Sequence, residues 1–285
     1  MKKLTIVLVT LILLCIVNRD LFPVDNHSDA TNVSLIASFN TLHLGWGEKN
    51  YTAVSEILIT YDIIGLQEVM KVSGVKALTT ELKKLSNQDW DTLISEYPVG
   101  SKEYKEYYAY IWKRNKVSLI KSLGYYKEKN QYDFIREPYG AIFKTGNFDF
   151  TFVLCHLFFG NNPKCRRAEA EKLSDVYEYF QQINGSEQDV IIAGDFNLPA
   201  SDEGFLNLLY HKDQIKYNIS PEEKTTISKN GLCNSYDNFF TSKYTHEIVF
   251  TDVYKQYIID YPVVKKTISD HLPIYLVIGT NVDDD

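Results

Sequence analysis

The sequence predicts a mixed α/β protein with β-sheets at its centre and helices outside. Three features carry this. Apolar runs of strand length recur, segments with helical spacing lie between them, and two pairs of runs are joined by short turns. Residues 33–39 alternate as a strand, 51–59 have helical spacing, and 62–66 form a short apolar strand entering Gln67-Glu68, so the chain opens as β–α–β. Runs 107–112 and 116–121 meet at the turn Lys113-Arg114-Asn115, and runs 140–144 and 148–154 at Gly146-Asn147; both read as antiparallel hairpins. Residues 166–182 form a charged amphipathic helix, followed by the strand 190–193, which ends at Gly194-Asp195-Phe196-Asn197. Runs 248–250 and 272–278 supply the final strands.

Of the 285 residues, 45% are hydrophobic, enough for a substantial core, which excludes a disordered or collagen-like chain. Thirty basic residues against 37 acidic ones leave a net charge of −7, so no global positive field draws the chain to phosphate backbones. Met1-Lys2-Lys3 precedes an apolar run over 4–17 that would reach roughly 21 Å as a helix, short of a bilayer core of about 30 Å. Residues 1–24 therefore read as a signal peptide or N-terminal anchor, and the protein as exported: secreted or periplasmic, with membrane contact only through a retained leader. The leader holds three basic residues and one acidic residue, so 27 basic and 36 acidic residues follow it, a net −9. No linker or internal repeat divides the rest. It reads as one domain over 30–280 with an acidic tail over 281–285, monomeric. Cys155, Cys165 and Cys233 fit no zinc spacing and allow at most one disulfide.

Asn40, Glu68, His156, Asp195, Asn197, Asp270 and His271 each lie at or just past the end of an apolar strand-like run, where side chains converge on one rim of a sheet sandwich. Three carboxylates with two asparagines form a hard, oxygen-rich set suited to Mg²⁺ or Ca²⁺. Two histidines beside such an ion suit proton transfer and the displacement of an alkoxide from a phosphodiester.

The strings Ser38-Phe39-Asn40, Leu66-Gln67-Glu68-Val69, Cys155-His156-Leu157, Gly194-Asp195-Phe196-Asn197 and Ser269-Asp270-His271-Leu272-Pro273 follow the order and spacing of the endonuclease/exonuclease/phosphatase superfamily. Segments around Tyr104, Arg114, Arg136, Asp175 and Tyr236 further resemble the deoxyribonuclease I family, and the likeness covers about residues 33–279. The resemblance implies a four-layer α/β/β/α sandwich of two mixed, mainly antiparallel sheets. It implies that His271 pairs with Asp237 and His156 with Glu106 as two acid/base units, with Asn197 hydrogen-bonding the site. It further implies that Glu68, Asp195, Asp270 and Asn40 form the Mg²⁺ environment, Mn²⁺ being an alternative and Ca²⁺ a structural ion. Tyr104 and Arg136 match positions that contact DNA sugar-phosphate, and Tyr236 lies beside the catalytic Asp237. The implied activity is hydrolysis of DNA with low sequence preference to 5′-phosphate ends; the alternative is a phospholipid phosphodiesterase or phosphoinositide phosphatase.

The sequence departs from the family in two respects. The two arginines that enter the minor groove fall on Leu42 and Met70, with Lys71 or His43 as weak substitutes, and Cys233 lacks its disulfide partner near Ala200. Lys83-Lys84 and Lys265-Lys266 read as solvated faces and Trp46 as core packing.

Overall fold

Alternation along the strands decides what packs on each side of the two central sheets. The computed structural model describes residues 32–130, 132–160, 162–183, 188–258 and 260–283; the leader and the last two aspartates lie outside them. The strands are β1 Val33–Leu44, β2 Ile63–Val69, β3 Trp90–Ile94, β4 Lys105–Lys113, β5 Val117–Tyr125, β6 Tyr139–Thr145, β7 Phe148–His156, β8 Val190–Asp195, β9 Asp237–Thr241, β10 Ile248–Val253 and β11 Ile274–Gly279. The first sheet runs β10-β11-β1-β2-β4-β3, with the short strand Val99–Gly100 also on β4. The second runs from the short strand Lys216–Tyr217 through β9-β8-β7-β6 to β5.

On β7, Phe148, Phe150, Phe152 and Leu154 enter the core shared with the first sheet. Val153 and Cys155, one residue out of phase, enter a separate core against helices α3 Pro163–Ala170 and α4 Leu173–Ile183. Strand β8 divides in the same way, Ile191 and Ala193 inward and Val190 and Ile192 toward the helices. The first sheet is covered by α1 Tyr51–Leu58 and α2 Val72–Ser86, which bury Val54, Ile57 and Leu58 and Val75, Leu78 and Leu82 at helical spacing. The result is the expected four-layer sandwich. The sheets approach closely: a Cβ on Gly65 of β2 would come within 2.3 Å of Leu154 Cδ2 on β7. Tyr110 Oη crosses the gap to donate to the carbonyls of Tyr139 (2.9 Å) and Phe152 (2.7 Å).

Strand direction gathers the polar ends. β1 and β2 are parallel, as are β7 and β8, so Asn40, Glu68, His156 and Asp195 all sit at or near C-terminal strand ends. β4, β9 and β11 run antiparallel to β2, β8 and β1, so their N-terminal ends bring Glu106, Asp237 and, just before β11, Asp270-His271 to the same rim.

Two expectations are corrected. Runs 107–112 and 116–121 do not pair: β4 already has β2 and β3 on its two edges, so the turn closed by Lys116 N–H on Lys113 O carries the chain into the second sheet, where β5 pairs β6 as an edge strand. The single helix over 166–182 is two helices, because the Lys172 N–H takes the Glu169 carbonyl three residues back and breaks the α-helical ladder. Among the described residues no helix is long and apolar enough to cross a membrane.

Candidate active site

Four non-glycine residues at the rim hold left-handed backbone: Leu42 (φ 44°), His43 (φ 61°), Glu68 (φ 56°) and Asn197 (φ 52°). Register shifts on β1 after Asn40 and on β2 after Leu66 accompany them, and such bulges re-aim the next side chains. Gly194 serves the same end. At φ 147° it lets β8 pass so near β7 that a Cβ would stand 1.8 Å from the Cys155 carbonyl oxygen.

The side chains converge on Asp195. Its Oδ2 accepts from Asn40 Nδ2 at 3.0 Å and lies 3.5 Å from His156 Nε2 and 3.3 Å from His271 Nε2. Its Oδ1 accepts the Asn197 N–H at 2.9 Å. Each imidazole carries a carboxylate on its other nitrogen: His156 Nδ1 is 2.8 Å from Glu106 Oε1, and His271 Nδ1 is 2.8 Å from Asp237 Oδ2. Asn40 Nδ2 also donates to Glu68 Oε1 at 3.1 Å, so one amide joins carboxylates of the two sheets, while its Oδ1 accepts the Leu42 N–H. Glu68 Oε2 accepts the His43 N–H, and Ser269 Oγ donates to the Asn40 carbonyl and accepts the His271 N–H.

The electrostatics follow from this packing. Burial alone would lower His271, yet Asp237, Asp195 and Asp270 hold its ring well above the ordinary histidine value. Burial and the Arg136 charge likewise oppose a proton on His156, but Glu106 and Asp195 outweigh them and raise it. Burial would raise Glu106, and His156 and Arg136 instead lower it. Each pair retains a proton at a pH where an isolated imidazole has lost it.

The other expected residues line the same cleft, a hollow of about 550 Å³. The Tyr104 hydroxyl is raised by burial and then by the neighbouring Glu68 and Glu106 carboxylates. Arg136 lines the cleft but is 7% exposed; Nε and Nη2 donate to the carbonyls of His156 and Leu157, both at 2.8 Å. Tyr236 lies with its hydroxyl 3.4 Å from Arg166 Nη1. Asp270 is bound by Lys265 Nζ at 3.0 Å. Cys155, Cys165 and Cys233 are free thiols.

Several participants escaped the sequence reading. Lys265, read as a solvated face, lines the cleft. Trp46, read as core, is 42% exposed, because the tight turn at Gly45 lifts it off the strand end. Lys49 donates to the carbonyls of Thr41, Leu42 and Ile268, tying the Asn40 strand end to the loop before Asp270. Burial lowers its pKa to about 8 against the pull of Glu68 and Asp270. Nothing in its local sequence marks Lys49: Thr41 and Leu42 lie close by on β1, but the third partner, Ile268, comes from a segment distant in the chain.

The donors suit a hard divalent cation. Glu68, Asp195 and Asp270 bring carboxylate oxygens to the cleft wall, and Asp195, Asp237 and His271 place ligand atoms within 4.8 Å of one another.

Comparison with known proteins agrees with this geometry. Residues 37–271 match the model of the Endonuclease/Exonuclease/phosphatase family. A deoxyribonuclease of Thioalkalivibrio sp. (strain K90mix) is 28% identical over 267 residues, 86% of this chain and 71% of the relative. Deoxyribonuclease-1 of Oryctolagus cuniculus is 33% identical over 175 residues, 57% of this chain and 60% of that protein's length. The crystal structure of an endonuclease/exonuclease/phosphatase from Bacteroides vulgatus superposes with a TM-score of 0.61 at 17% identity, covering 87% of this chain and 98% of that one, a likeness of fold.

Proposed function

This chain belongs to the Endonuclease/Exonuclease/phosphatase family, and from that premise we propose that it is an exported, divalent-metal-dependent endonuclease that hydrolyses DNA to 5′-phosphate ends. The observation that carries the reading is the convergence of two carboxylate-backed imidazoles on Asp195, one from each side. A scissile phosphate in the cleft would meet both Nε2 atoms, so that one imidazole takes a proton from the attacking water and the other hydrogen-bonds or protonates an oxygen of the phosphate. Glu106 and Asp237 fix the Nδ1 side of each ring and stabilise the imidazolium that forms. Glu68, Asp195 and Asp270, steadied by Asn40, would hold Mg²⁺, which when bound neutralises charge on the phosphoryl oxygens. The enzyme acts as a monomer.

The test incubates purified protein with plasmid DNA, RNA and sphingomyelin, each with Mg²⁺, Mn²⁺, Ca²⁺ or EDTA. Nicking of plasmid that EDTA abolishes, with circular dichroism unchanged, is expected because the ligands gather at a sheet rim and do not hold the core. Cleavage in excess chelator refutes the metal role, and turnover of sphingomyelin alone refutes the substrate.

A further inference from the structure

Resting on the nuclease reading, we infer that the cleft takes an unpaired DNA strand whose bases stack on an aromatic shelf made by Trp46, His43 and Tyr104. The ring centroids stand 5.8 Å (His43–Trp46), 5.7 Å (His43–Tyr104) and 6.3 Å (Trp46–Tyr104) apart. The shelf is open: Trp46 and the His43 side chain are each 42% exposed. Phe159, 64% exposed, also lines the cleft, with the Arg166 guanidinium 5.9 Å from its ring centroid.

The shelf is also rigid at its base. The Leu44 carbonyl accepts the N–H groups of Met70 and Lys71, and the Trp46 N–H closes a turn on the His43 carbonyl. Gly74 of α2 seats against this turn so tightly that a Cβ there would lie 2.7 Å from Gly45 N. Little ordering is therefore left for a ligand to impose.

Reading a duplex groove calls for cationic side chains inserted into it. Leu42, which lines the cleft beside His43, and the buried Met70 present no charge there. An aromatic surface instead captures the π-face of any base, which a duplex hides in its own stack and an unpaired strand exposes. Lys266 shares with Trp46 and His43 a hollow of about 180 Å³, where a cation can meet the backbone of a strand passing over the shelf.

The experiment compares kcat/KM at fixed ionic strength for an oligonucleotide as a single strand, as a duplex, and as a single strand with abasic positions beside the cleaved bond. Wild type is expected to prefer the single strand. Trp46→Ala and Phe159→Ala should each lower its kcat/KM roughly 5- to 150-fold, mainly through KM, and Trp46→Phe should retain most of it. On the abasic strand Trp46→Ala should match wild type. Preference for the duplex, or an equal loss from Trp46→Ala on normal and abasic strands, overturns the shelf while leaving the nuclease reading intact. Cleavage of no DNA form overturns that reading and the shelf with it.

Discussion

Replacing Asp237 by asparagine tests the acid/base assignment at its most exposed assumption. Asp237 is 2% exposed, its backbone pairs with Asp195 across β9 and β8, and both its oxygens face His271 Nδ1, at 2.8 and 3.1 Å. The substitution keeps the shape and removes the charge. With charge centres about 4 Å apart and an effective dielectric constant of about 20, the attraction of this carboxylate for an imidazolium is about 4 kcal/mol. If the transition state loses all of it, turnover falls roughly a thousandfold, within the range of about 10² to 10⁴ typical of general acid–base catalysis. The direction in pH follows from the sign. Asp237 raises His271, so Asp237→Asn lowers it, and the limb of the rate profile that His271 carries moves to lower pH whichever proton step it performs. Plasmid nicking across pH, with ¹⁵N-resolved titration of the imidazole and a thermal melt to verify folding, measures both quantities. Wild-type turnover with an unmoved limb would show that His271 does not handle a proton in the rate-determining step.

Two further outcomes test the surroundings of that pair. Asn40→Ala removes the amide between Glu68 Oε1 and Asp195 Oδ2, and the activity should then require 10- to 100-fold more Mg²⁺ by order of magnitude, read from metal titrations of the rate; an unchanged requirement would separate Asn40 from the ion. Arg136→Ala should lower kcat as well as raise KM, because its guanidinium holds the backbone of His156 and Leu157, whereas Lys83→Ala, on the exposed end of α2, should change neither; a pure KM effect at Arg136 would return it to simple phosphate binding.

The candidate site was legible because its groups lie at the ends of apolar strands, and strand ends are where a sheet exposes side chains. Five short motifs marked Asn40, Glu68, His156, Asp195 and the Asp270-His271 pair. The sequence could not say to which sheet a strand belongs. Pairing is a contest among edges, and β2 and β3 occupy both edges of β4, leaving none for its neighbour β5. Tertiary contacts likewise decide Lys49, whose bond to the Ile268 carbonyl spans 219 residues, and Trp46, which the Gly45 turn lifts out of the core to which its hydrophobicity assigns it. Local pattern and motif thus picked out the candidate residues. Tertiary structure decided their distances, the charges that face them and the aromatic surface beside them, because those depend on contacts between segments that composition and periodicity treat as independent.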